Sequence, residues 1–106
     1  MAIARTWNCR ADPKDPDAYP RHFRDKVMPA LDAIPGFLGA MLMRRELDGA
    51  IEYTVLTRWV SIDMIRRFTG RDLNAAVIDP NIAAKLIDYD KTVQHSEILE
   101  KVWSTR

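Results

Sequence analysis

The sequence predicts an α+β fold: an antiparallel sheet with helices on one face only, in the order β-α-β-β-α-β. Three observations carry that expectation. Two strand-like runs, "FLGAMLMRREL" (37–47) and "AIEYTVLTRWV" (50–60), flank the dipeptide Asp48-Gly49. An apolar stripe of Tyr19, Phe23, Val27, Leu31 and Ile34 recurs at helical spacing upstream of that hairpin. Finally, Ser61 converts the alternation of 51–59 into a helical pattern, which Gly70 ends.

Residues 3–9, "IARTWNC", read as the first strand, with Ile3 and Trp7 flanking the β-branched Thr6. "RADPKDPD" (10–17) is a loop, because its prolines and aspartates supply turn chemistry and little to bury. Asp17 is placed to cap the first helix, and Pro20 is tolerated in its first turn. Pro29 should kink that helix, since it removes a backbone donor and crowds the preceding turn. "IPG" at 34–36 stops it. Asp48-Gly49 then tolerates the positive φ angles of a type I′ turn and predicts a tight hairpin. Ser61 caps a short helix over 62–69. Asp72 is expected to start a further helical piece, and Asp79-Pro80 to open another with Ile82, Leu86 and Tyr89 facing inward. "TVQHSEILEKVW" (92–103) is the last strand with a short extension. This order is the ferredoxin-like arrangement, with the second helical element broken into short pieces, over a single domain covering 1–106.

Composition excludes several classes of function. Sixteen basic residues against 15 acidic leave a net charge of +1, so no global field draws in nucleic acid or an anionic membrane. No run of the roughly 18 apolar residues that cross a bilayer occurs, and "MAIARTWNCR" lacks the pattern of a secretory signal. The lone Cys9 permits no internal disulfide and fits a reducing compartment, so a cytoplasmic location is expected, with the thiol as buried filler. There is no glycine-rich phosphate loop among 4 glycines, no Cys/His zinc spacing and no nucleophile elbow. The basic-aromatic strand signature of RNA-recognition modules is missing too.

Helices on one face leave the other open, and an open face should read polar at every second residue. In 51–59 one side carries Ile51, Tyr53, Val55, Thr57 and Trp59, and the other Glu52, Thr54, Leu56 and Arg58. In 37–43 the two sides are Phe37, Gly39, Met41 and Met43 against Leu38, Ala40 and Leu42. Exposing several such side chains would forgo roughly 1.5–3 kcal/mol each. A second copy laid sheet to sheet about a two-fold axis would cover them, giving a homodimer. The alternative is that fragments of 72–88 fold over the open face.

"IARTW", "PGFLGAMLMRR", "EYTVLTRWVSID" and "TVQHSEI" together resemble the dimeric α+β barrel superfamily, and most of all its antibiotic biosynthesis monooxygenase branch. The resemblance implies a dimer whose two sheets enclose a barrel, with a pocket in each subunit between sheet and helices. The activities such a resemblance brings into view include cofactor-independent oxidation of polycyclic phenols to quinones and haem degradation, and many proteins of this kind have no assigned activity. The haem-degrading pattern resembles an Asn on the first strand, a Trp in the short helix and an iron-ligating His on the next helix. Asn8 matches the first and Phe68 falls at the second, but "DLNAAVIDP" contains no histidine.

The resemblance therefore points to an oxygenase without cofactor or metal, acting on a small aromatic or quinol-type molecule. Arg58 and Arg5 are candidates to stabilise an anion, and His95 to accept a proton. Tyr53, Trp7 and Trp59 are candidates to stack a flat ring, and Asn8 to hydrogen-bond a carbonyl. Phe68 and His22 complete the expected pocket, His22 at its rim. Each has a plainer reading. The tryptophans serve equally as core or interface aromatics, the arginines as partners of Glu97 or Glu52, and His95 as a structural histidine. A non-catalytic dimeric ligand-binding or stress-response module is the alternative function.

Overall fold

The computed structural model describes residues 2–104. Its strands are β1 (Ile3–Ala11), β2 (Phe37–Leu47), β3 (Ala50–Trp59), β4 (Asp88–Tyr89) and β5 (Gln94–Glu97). They form an antiparallel sheet in the order β2-β3-β1, and β4 and β5 share the place beyond β1. Helix α1 covers 18–32, α2 is Ile62–Thr69 and α3 is Pro80–Ala83. This is the ferredoxin-like α+β arrangement with helices on one face.

The period-two pattern decides which residues meet the helices. Along β1, Ile3, Arg5, Trp7, Cys9 and Ala11 are buried, and the residues between them are only half-buried. Antiparallel register sets Trp7 opposite Val55, Arg5 opposite Thr57 and Cys9 opposite Tyr53, so the buried sides of β1 and β3 coincide. An irregularity between Phe37 and Gly39 adds Leu38 to β2 and sets Phe37 opposite Trp59. Simple alternation had placed Phe37 on the side of Met41 and Met43; the bulge moves it to the helix side.

The stripe Tyr19, Phe23, Val27, Leu31 repeats every fourth residue, which drifts by about 40° per step on a regular α-helix. α1 absorbs the drift through a π-helical stretch, Phe23–Val27, flanked by α-helical turns. The disturbance expected at Pro29 takes this form: its missing N–H frees the carbonyl of Asp25, and the preceding turn widens. Asp17 stands at the N-cap without a side-chain hydrogen bond.

Ser61 caps α2 by accepting from the amide of Met64, and Gly70 ends the helix at φ 76°. At the hairpin Gly49 has φ 77°, but no described non-glycine residue has a positive φ, so Asp48 does not and the turn is not type I′. Asp72 starts no helix. Its carboxylate accepts from the amide of Asn74 in an Asx-type turn, and 71–79 runs without helix. Asp79 does cap α3, through the amide of Asn81. That helix ends at Ala83, so Leu86 lies in a turn and Tyr89 on β4. The expected last strand over 92–103 forms only at β5, against 3–6, and the short β4 precedes it against Cys9 and Arg10.

Two clusters fill the space beneath the helices. One gathers Trp7, Tyr19, Phe23, Tyr53, Val55 and Ile82; the other holds Ile3, Leu31, Trp59 and Ile65. Cys9 is fully buried in the first cluster, and burial pushes its thiol up to about 12, the nearby Arg10 opposing only in part. The thiol is packing material.

Segment 71–88 does not cover the open face. It lies on the helix side, where Val77 and Ile78 wall a cavity and Ile82 joins the core. The open face thus carries Met41, Met43 and Leu56 beside Thr6, Asn8, Glu52, Thr54 and Arg58. No described helix is long and apolar enough to cross a membrane.

Candidate functional site

A cavity of about 60 Å³ lies between the sheet and α1, under the segment 71–79. β1 contributes Arg5 and Trp7, β3 contributes Val55 and Thr57, and α1 contributes Tyr19, His22, Val27 and Leu31. Phe68 of α2, the segment residues Val77 and Ile78, and Val93 complete the wall. The rings of Trp7 and Tyr19 lie 5.6 Å apart and tilted, and Tyr19 reaches His22 at 6.0 Å. Two aromatic walls and several aliphatic side chains suit a flat apolar body.

Arg5 supplies the charge. It is 5% exposed, on the buried side of β1 because Ile3 and Trp7 beside it in the alternation are core residues. Its Nη1 donates to the carbonyl of Leu73 at 2.8 Å and to Nε2 of His95 at 2.9 Å. Its Nη2 donates to the carbonyl of Ala75 at 3.0 Å, and the Phe68 ring lies 5.8 Å from Cζ. No carboxylate pairs with it among the described residues. Burial lowers its pKa to about 10, which still leaves it a cation at neutral pH. A buried cation without an anion is costly unless something offsets it.

His95 stands opposite Arg5 on the neighbouring strand. Burial, and then the charge of Arg5, lowers its pKa, so the ring is neutral and Nε2 accepts from the guanidinium. That lone pair is engaged, and His95 is absent from the cavity wall. His22 lines both the cavity and a surface cleft bordered by Asp25, Lys26, Asn81 and Lys85. Burial raises the pKa of Tyr19, which keeps its hydroxyl protonated, and that hydroxyl bonds to no described residue.

Of the residues singled out in the sequence, Arg5, Trp7, His22 and Phe68 meet at the cavity, with His95 joined through Arg5. Tyr53 and Trp59 are enclosed in the core. The Tyr53 hydroxyl donates to the carbonyl of Pro16, and Trp59 Nε1 donates to Thr57 Oγ1 at 2.8 Å. Asn8 and Arg58 lie on the other side of the sheet. Asn8 accepts from Thr54 at 2.6 Å and donates to Asp90 at 3.2 Å. Arg58 stands opposite Ala4 and Gly39, and its Nε is buried without a hydrogen-bond partner among the described residues. Neither arginine pairs with Glu52 or Glu97; Arg10 and Arg45 hold Glu52 instead. Arg10 also binds Asp88 and Asp90, tying β4 to β1. Burial alone would raise the Asp90 pKa, but the hydrogen bonds from Arg10 and Asn8 outweigh it and the net shift is downward.

Tyr19 and Thr57 were read from the sequence as packing residues, yet both face the cavity. The available signals were the alternation of Thr57 with Val55 on β3 and the place of Tyr19 on the apolar stripe of α1. Among the described residues no group of three or more His, Cys, Asp or Glu side chains is gathered to hold a metal ion.

No protein-family model matches the sequence, and no curated protein matches it. Solved structures do share the fold. A protein named as a candidate antibiotic biosynthesis monooxygenase from Bacillus cereus superposes with a TM-score of 0.69 at 12% identity, over 97% of this chain and 98% of that one. SnoaB, a cofactor-independent oxygenase from Streptomyces nogalater, gives 0.62 at 16% identity, over 96% and 98%. A haem-degrading protein of Mycobacterium tuberculosis, in its haem-free form, gives 0.60 at 18% identity, over 97% and 100%. The chain has the fold of these antibiotic biosynthesis monooxygenase-like proteins. A porphyrin does not fit the cavity described above: about 60 Å³ is far too little, and its covering segment 71–79 carries no histidine, cysteine or methionine.

Proposed function

We propose that the chain is a monooxygenase that oxidises a small phenolic or quinol-type aromatic with molecular oxygen, in the cavity beneath α1. The observation that carries this reading is Arg5, a buried guanidinium without a carboxylate at the edge of an aromatic-walled cavity. A deprotonated phenol is electron-rich enough to react with oxygen directly. One oxygen atom enters the substrate as a carbonyl, and the other leaves as water with the two hydrogens the substrate gives up. The protein then has three tasks: hold the anion, exclude water and carry a proton away. Arg5 and the Tyr19 hydroxyl donate to the ionised oxygen. Trp7 and Phe68 flank the ring. His22, bordering both cavity and cleft, passes the proton outward, a role the committed Nε2 of His95 does not fit.

Oxygen uptake with hydroquinones, hydroxynaphthalenes and anthrones tests the reading. Turnover by the parent protein, reduced about a hundredfold in His22→Gln, supports it; no uptake on any of these substrates overturns it. The cavity's small volume favours one rival, a module that holds a small ligand without converting it. Saturable binding without oxygen uptake would identify that rival.

The open face supports an assembly of two copies. Met41 and Met43 are 45% and 42% exposed beside Leu56, and segment 71–88 lies on the other side. A second copy would supply an apolar cover.

A further inference from the structure

We propose that the cavity selects a single-ring aromatic anion, a benzoate or phenolate, whose charged oxygens bind the two free N–H groups of Arg5. This rests on reading the cavity as the ligand site, as above, but not on turnover. The guanidinium has five N–H donors, and three are used, on Leu73, His95 and Ala75. The remaining two have no acceptor among the described residues. A carboxylate or phenolate would satisfy them with charge-assisted bonds, and a neutral ring would leave them orphaned.

The rest of the wall points the same way. No Asp or Glu lines the cavity, so Arg5 meets no internal competitor and a cationic ligand no counter-ion. Size sets the second half of the specificity. A cavity of about 150 Å³ takes benzene, so at about 60 Å³ even one ring requires the wall to withdraw until the void more than doubles, and fused rings require far more. The part able to withdraw is 71–79, which has no helix of its own and whose Val77 lines the cavity while 51% exposed. Arg5 tethers the start of this segment at Leu73 and Ala75, and an anion on the two free N–H groups leaves those bonds in place.

The test is calorimetric titration of the full chain with benzoate, salicylate, benzamide and 1,8-dihydroxyanthrone, with amide shift mapping at Trp7, Val55 and Ala75. Benzoate should bind at least about tenfold more tightly than its neutral isostere benzamide, as expected for charge-assisted bonding. The perturbed amides should be those of the cavity. Equal binding of benzoate and benzamide, tighter binding of the anthrone, or shifts confined to the open face would overturn the proposal. Arg5→Lys should reduce the benzoate preference, and the wild-type comparison decides the matter even if that variant fails to fold. Oxygen uptake separates the two readings. Anion binding without turnover removes the oxygenase and leaves this inference standing; turnover of anthrones with no benzoate binding does the reverse.

Discussion

Arg5 and His95 stand opposite each other on β1 and β5, and the guanidinium donates to the imidazole Nε2 at 2.9 Å. Cation and ring coexist only while His95 is neutral. Because its folded pKa is lowered, the unfolded chain takes up the proton first, so stability present above the ordinary histidine value is lost as pH falls below about 6.5. The thermal midpoint should therefore drop between about pH 7.5 and 5, and His95→Gln should flatten that slope. Asp90 acts in a separate, more acidic window: with a lowered folded pKa its contribution holds above about 4 and fades below it. An unchanged slope in His95→Gln would mean that the Arg5–His95 contact does not govern acid sensitivity.

Trp59 is fully buried, and its indole N–H has one acceptor, Thr57 Oγ1. Thr57→Val keeps the shape and removes the acceptor, leaving a buried donor unsatisfied at a cost of about 1–3 kcal/mol. Denaturant unfolding should register that loss. If the hydrogen bond is the cause, Thr57→Val should cost much less in a Trp59→Phe background.

Gly36 has φ 87°, and a Cβ there would collide with the side chain of Met64 in α2. Its carbonyl also accepts from the amide of Val60 at 2.8 Å, so the backbone has little room to move. Gly36→Ala should therefore cost about 2 kcal/mol or more. Adding Met64→Ala should recover the steric part and leave the conformational part.

Leu56 lies between Met41 and Thr6 on the open face, away from the cavity. Leu56→Asp should leave the monomer folded and shift sedimentation from a two-copy species to a 12.2 kDa one. A parent protein that sediments as a stable monomer at micromolar concentration would refute the paired assembly.

The features legible in the sequence were those with local causes. The hairpin, the Ser61 cap, the stop at Gly70 and the Asp79-Pro80 start each rest on a few adjacent residues, and each forms where expected. The segment after Gly70 was misread because its path depends on distant partners. Asp72 had the chemistry of a helix cap, but Arg5 holds the carbonyls of Leu73 and Ala75 in a turn that passes into a bridge with Thr92, which no local propensity announces. The same limit applies to the site. Arg5 and Arg58 both sit in alternating strands with apolar neighbours, and only the helices reveal which one faces the cavity. Tyr19 belonged visibly to the helical stripe; that the stripe borders a void is a matter of packing.

The division of the outer strand into β4 and β5 bears on how the molecule behaves when crowded. A foreign strand needs an unbroken row of amides and carbonyls to zip against, and this margin offers a pair of residues, an interruption at 90–93, then four more. Short, interrupted margins resist the edge-to-edge growth that leads to fibrils. Growth of filaments by strand addition should accordingly not run through this margin, and the continuous β2 at the opposite edge is the one a foreign strand could pair with.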